Sequence, residues 1–189
     1  MGGELVPRRS PPGESCCLKA SAVIEFSAPV EIDRSVGEVL AYVTDPAKLP
    51  TWQTNTVSVT QETSGPLGVG TRLREVHRAP GGRDLVSLVE VAQFEPGRCF
   101  ALRILEGPLP IDARFAFTPT ERGTRVELLG RGQLPGVLRL GQPLMKPILR
   151  RQFTRDLARL KRALEESPAP PSGLESGAAV GHEDAADAP

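Results

Sequence analysis

Between Val57 and Arg131 six strand candidates follow one another with no helix among them: Val57–Glu62, Thr71–His77, Arg83–Phe94, Cys99–Leu105, Ile111–Thr118 and Thr124–Arg131. The segments between them carry turn chemistry, in Ser64-Gly65-Pro66, Pro80-Gly81-Gly82, Glu95-Pro96-Gly97 and Glu121-Arg122-Gly123. Connections this short predict antiparallel hairpins. Apolar residues alternate cleanly in Phe100, Leu102 and Ile104, and again in Ile111, Ala113, Phe115 and Phe117. Such strands bury one face and leave the other wet. The buried face needs a cover, and only one later segment can supply it.

That cover is the helix predicted near the C-terminus. Leu149, Phe153, Leu157, Leu160 and Leu164 recur at four- and three-residue steps, which puts them on one side of a helix. Arg151, Arg155, Arg159 and Arg162 fall on the other side and read as a solvated face. Upstream, Val137, Leu140, Leu144 and Ile148 form a second apolar set about half a turn away at ~100° per residue. Pro143 and Pro147 stand between the two sets. Because proline removes a backbone donor and crowds the preceding turn, the sequence predicts a break or kink near Pro143–Pro147. The segment upstream of the break would then pack separately, as a gate.

Ahead of the meander, Ile24, Phe26, Ala28, Val30 and Ile32 alternate with polar residues as a strand of their own. Pro29 confines it to an edge or a bulge. Ser35-x-x-Glu38 fits a capping box for a first short helix, with Val36, Val39, Leu40 and Val43 on its apolar side. Asp45-Pro46 ends it, and a second short turn runs to Trp52.

Residues 1–20 and 167–189 are rich in Pro, Gly, Ser and Ala and read as disordered tails, leaving 21–166 as one folded domain. Lys plus Arg and Asp plus Glu are both 23, which argues against a nucleic-acid partner. No apolar run is long enough for an integral membrane segment, and the N-terminus lacks the apolar stretch of a secretory signal. Three cysteines, Cys16, Cys17 and Cys99, make no disulfide framework, and two histidines leave no metal cluster. The expected setting is cytoplasmic. No nucleotide-binding glycine loop is present, and no cofactor is expected.

Taken in order, several stretches resemble one known family. They are Ile32-Asp33-Arg34-Ser35, Asp45 through Trp52, Gly68-Val69-Gly70-Thr71-Arg72, Phe94-Glu95-Pro96, Gly123-Thr124-Arg125-Val126 and Asp156 through Lys161. The chain is similar to the START-like helix-grip (SRPBCC) superfamily, in its polyketide cyclase/dehydrase and lipid-transport group. The resemblance implies an α+β fold in which a seven-stranded curved antiparallel sheet wraps a long C-terminal helix. Two short helices would lie between strands one and two. It also implies a hydrophobic or polycyclic small-molecule ligand held between sheet and helix.

In such a fold the cavity would be lined by Phe100, Leu102, Ile104, Phe115, Phe117, Val126 and Leu128, with Leu149 and Phe153 opposite. Trp52, the single tryptophan, would stand at the mouth. If Leu73 points inward, a period of two puts Glu75 and His77 on the same face. A carboxylate and an imidazole so placed would serve as general base and acid in a cyclase or dehydrase. Glu90 is a further candidate inward carboxylate. Ligand holding is the first expectation and turnover the second.

Overall fold

The computed structural model of the chain describes residues 24–132 and 142–166. Both tails, Cys16 and Cys17, and Val137 and Leu140 lie outside the described residues. Within them the order is β1 (Ile24–Ile32), α1 (Val36–Thr44), α2 (Leu49–Trp52), β2 (Thr56–Gln61), β3 (Arg72–Arg78), β4 (Asp84–Glu95), β5 (Cys99–Glu106), β6 (Ile111–Thr120), β7 (Gly123–Gly132) and α3 (Gln142–Glu166). The strands form one antiparallel sheet in the order β1-β7-β6-β5-β4-β3-β2. This is the helix-grip arrangement, with the two short helices between strands one and two.

The edge position read from Pro29 is where β1 lies, paired with β7 alone from Ile24 opposite Gly132 to Ile32 opposite Thr124. A residue without an N–H is harmless there. The capping box also forms. Ser35 N donates to Glu38 Oε2 at 2.9 Å, and Glu38 N donates to Ser35 Oγ at 3.4 Å. The Ser35 hydroxyl, donating to Glu38 Oε2 at 2.6 Å, and the Ser35 N–H together hold the Glu38 carboxyl below its ordinary range. Replacing Ser35 with Ala should cost ~1 kcal/mol, read as a drop of about 3 °C in Tm for a domain of this size. An unchanged Tm would mean that the box contributes nothing.

The core is divided along α3. Leu157, Leu160 and Leu164 pack with Val39, Leu40 and Val43 of α1, Trp52 of α2, and Phe100, Phe117 and Val126 of the sheet. Nearer the start of α3, Leu149 packs with Ile24, Phe26 and Ile111 in a second cluster. There the Phe26 ring stacks on Phe153 at 5.0 Å. Its other surface lies over Gly130, where any Cβ would overlap the ring. That glycine is required by close approach.

Of the break or kink expected near Pro143–Pro147, the break does not occur. The helix is continuous from Gln142, with Pro147 inside it. Pro143 is its second residue, where an N–H has no intrahelical partner. Pro147 therefore forfeits one bond close to the helix start. The reasoning about faces holds nonetheless, since one helix cannot bury both apolar sets. Leu144 and Ile148 are left 70% and 50% exposed.

Candidate functional site

The sheet is complete at the end covered by α1 and α2 and opens at the other. Strands β5 and β6 pair only from Cys99 opposite Ala116 to Leu102 opposite Ala113. Beyond that they part, and Asp112 Oδ1 takes the Ile104 N–H at 3.0 Å where a ladder bond would otherwise be. Under the parted strands, against the first half of α3, lies a cavity of about 290 Å³. Its apolar wall includes Trp52, Val89, Leu102, Ile104, Phe115, Leu149 and Phe153. Glu75, His77, Thr56, Gln53, Ser87 and Asp156 make up much of its polar side.

The polar side begins with a bulge. Thr56 opposes His77 and Ser58 opposes Val76, so β2 carries one extra residue at Val57. Val57 and Ser58 both face outward, and Thr56 is turned inward. Without that insertion Val57 would stand opposite the imidazole. With it, Thr56 Oγ1 lies 3.2 Å from His77 Nδ1 and donates to Gln53 Oε1 at 2.5 Å. His77 Nε2 meets Glu75 Oε2 at 3.0 Å. The imidazole is thus held on both nitrogens, by Glu75 and, from just after α2, by Gln53 through Thr56.

Glu75 is 7% exposed, and its second oxygen, Oε1, is buried with no hydrogen-bond partner among the described residues. Trp52 Nε1 is likewise buried without a partner among the described residues. Trp52 is 1% exposed and meets Phe115 edge to face at 6.2 Å. Buried polar atoms left this way are uncommon and mark places where a partner is missing.

Asp156 was not anticipated. It lies within the apolar stripe of α3, between Phe153 and Leu160, and is 2% exposed. Its Oδ1 accepts from Thr54 N at 2.9 Å and from Thr54 Oγ1 at 2.5 Å, tying α3 to the end of α2. Burial pushes its carboxyl above the ordinary range, and the Thr54 bonds only partly offset this. The sequence held a signal: position 156 is three residues after Phe153 and four before Leu160. An acid there belongs to the buried face, whereas composition alone reads it as a partner for the arginines.

Of the residues expected around a ligand, Trp52, Leu102, Ile104, Phe115, Leu128, Leu149 and Phe153 line the cavity together with Glu75 and His77. Phe100, Phe117 and Val126 instead fill the core at the α1 end. Leu73 is buried at the far end of β3 from His77 and does not reach the cavity. Glu90 points the other way. The inward set of β4 is Ser87, Val89 and Val91, and Glu90 lies on the opposite face with its carboxylate 3.6 Å from the Arg72 guanidinium. Among the described residues no group of three or more His, Cys, Asp and Glu side chains could hold a metal ion. No helix among them is long and apolar enough to cross a membrane.

The family model described as polyketide cyclase / dehydrase and lipid transport matches residues 23–165. A search of curated proteins finds no match. Among solved structures, TTHA0849 from Thermus thermophilus is similar at 20% identity and a TM-score of 0.63, covering 75% of this chain and 97% of that one. The di-domain ARO/CYC StfQ from the steffimycin biosynthetic pathway is similar at 17% identity and a TM-score of 0.64, over 75% of this chain and 50% of that one. The di-domain ARO/CYC BexL from the BE-7585A biosynthetic pathway matches at 21% and 0.63, over 77% and 51%. Likenesses of this degree establish the fold.

Proposed function

The chain belongs to the polyketide cyclase / dehydrase and lipid transport family, and from that premise we propose that it binds a hydrophobic or polycyclic small molecule between the sheet and α3. The observation that carries the reading is the cavity itself, an apolar chamber with a few convergent polar groups at one side. Binding sites for small molecules have this composition. A volume of about 290 Å³ stands at the lower end of the range of roughly 300–1,000 Å³ for small-molecule sites. It suits a compact ring system better than a long-chain lipid. The balance of 23 basic and 23 acidic residues supports a reading without a nucleic-acid partner, and the cysteine usage supports a cytoplasmic one.

Native mass spectrometry of gently purified protein, followed by extraction, should yield a bound apolar compound. Leu149→Trp fills the chamber and should abolish that binding, while overpacking costs about 1–3 kcal/mol of stability. A native protein that carries no compound and takes up no added 2-methoxynaphthalene would contradict the proposal.

The contact between Glu75 and His77 favours a second reading, in which the bound molecule is also turned over. Glu75 would remove a proton from the carbon beside a ketone, and His77 would return one to oxygen, as a cyclase or dehydrase requires. The likeness to two ARO/CYC proteins supports this direction. Replacing Glu75 with Gln and His77 with Ala together should abolish product formation from a poly-ketone substrate. Unchanged formation would refute the assignment.

A further inference from the structure

The outer face of α3 carries a charge pattern that the chamber does not use. Arg151, Arg155, Arg159 and Arg162 follow at four-, four- and three-residue steps, and all four are exposed. At that spacing they form one stripe along the helix, and like charges so placed repel one another. The acids of the same helix do little to offset them. Asp156 is turned inward onto Thr54, and Glu165 is engaged by Lys161 at 2.9 Å and by the Asp33 N–H at 2.9 Å. Arg159 reaches only uncharged groups by hydrogen bonds, the Thr51 carbonyl at 3.2 Å and Thr54 Oγ1 at 3.5 Å. Among the described residues no carboxylate forms an ion pair with Arg151, Arg155 or Arg162. We propose that the stripe is the docking surface of the chain's own acidic segment, Glu175 to Asp187, which returns antiparallel along α3 and covers the arginines against outside anions.

Charge singles out this occupant. Residues 167–189 carry four of the chain's 23 acids, Glu175, Glu183, Asp184 and Asp187, and none of its 23 lysines and arginines. The rest of the chain is therefore basic. The segment that neutralises it begins at the end of the helix that bears the stripe.

The lengths agree as well. Seventeen residues lead from Glu166 to Glu183, for which coil statistics give a span of about 21–25 Å. Arg155 and Arg151 lie 11 and 15 residues before Glu166, or about 16–22 Å back along a helix. Glu183, Asp184 and Asp187 thus fall beside Arg151 and Arg155. Glu175, nine residues out, has a span of about 15–18 Å and reaches Arg159 and Arg162. Pro168, Pro170 and Pro171 oppose continuation of the helix, which would carry the acids away from the stripe. Tethering gives the segment an effective concentration of about a millimolar, so contacts that are weak singly still compete with untethered anions.

Two measurements on the full chain test this. In low-salt NMR, Arg151→Gln/Arg155→Gln should move the backbone amide signals of Glu183, Asp184 and Asp187 away from their native positions. The difference should vanish at about 1 M salt, where the screening length is roughly 3 Å. The second measurement is the affinity for a polyglutamate peptide at low salt. Glu175→Gln/Glu183→Gln/Asp184→Asn/Asp187→Asn uncovers the stripe and should bind the peptide at least about fivefold more tightly than the native chain. Adding Arg151→Gln/Arg155→Gln to it should remove that gain. Circular dichroism and Tm confirm that each variant is folded. Amide positions that are the same in the native chain and the arginine variant, or a peptide affinity that the four acid substitutions leave unchanged, would overturn the inference. Tight binding of the native chain to phosphatidylserine vesicles or duplex DNA, unaffected by those four substitutions, would overturn it too, because the stripe would then serve an outside partner.

Discussion

Replacing Trp52 with Ala is expected to destabilise the protein by ~3–5 kcal/mol, the usual range for a large buried aromatic truncated in a core. Trp52 is 1% exposed and packs with the α1, sheet and α3 side chains of the main cluster. It also forms part of the cavity wall against Phe115. Chemical denaturation should report the loss as a lower midpoint at an unchanged m-value. Trp52→Phe makes the informative contrast. It keeps most of the ring and removes an indole N–H that has no partner among the described residues. A buried unpaired donor costs ~1–3 kcal/mol, so the gain from deleting it offsets much of the lost packing, and the net change should stay within about 1 kcal/mol. A Phe variant as unstable as the Ala variant would mean that Nε1 has a partner in solution.

The second large effect is expected at Asp156. Asp156→Ala leaves the Thr54 N–H and hydroxyl without their shared acceptor, a loss of about 2–4 kcal/mol at the usual cost for each orphaned donor. Asp156→Asn keeps an acceptor oxygen and should change stability by less than about 1 kcal/mol at pH 7. The pH dependence has a definite sign. Burial raises the carboxyl in the folded protein above its ordinary value of 3.8, against the pull of the Thr54 bonds and of Arg159. The fold therefore favours the protonated form. That stabilisation is fully present below the unfolded value and is lost as pH rises through the folded one. The Asn variant lacks this titration. Its stability relative to the native protein should be more favourable at pH 7 than at pH 4. Glu38 and Glu165, whose carboxyls are held low by their hydrogen bonds, cancel in the comparison because both proteins contain them. A difference that is flat between the two pH values would show that Asp156 is not perturbed by burial.

What the sequence made legible was what local chemistry decides. The capping box at Ser35 and Glu38, the edge placement of Pro29 and the inward set of β3 all follow from residue type and period. The pairing of Glu75 with His77 across one pleat is of the same kind. The boundary between cavity and core was not legible in the same way. Phe100 and Leu102 share a face of one strand, yet Phe100 packs beneath α1 while Leu102 lines the chamber. Alternation fixes the face a side chain takes, and only the packing of α1, α2 and α3 decides which end of that face is filled. The bulge at Val57 was also hidden, because an extra residue in a strand leaves no compositional trace, and Thr56 reaches His77 through it. Pro147 does not interrupt the helix, as a break there would have. Its local cost is real, but the Leu149, Phe153 and Leu157 packing downstream stabilises the helix through it.

The most direct test of a ligand-holding chamber is a methyl-resolved NMR titration of the native protein with 2-naphthol. Saturating ligand should shift the methyl resonances of Leu102, Ile104, Ile111, Leu128 and Leu149, which line the chamber. The methyls of Val39 and Val43 of α1, and of Leu160 and Leu164 in the same cluster, should stay where they are. Shifts confined to exposed Leu144 and Ile148, or no shifts at all, would contradict the account.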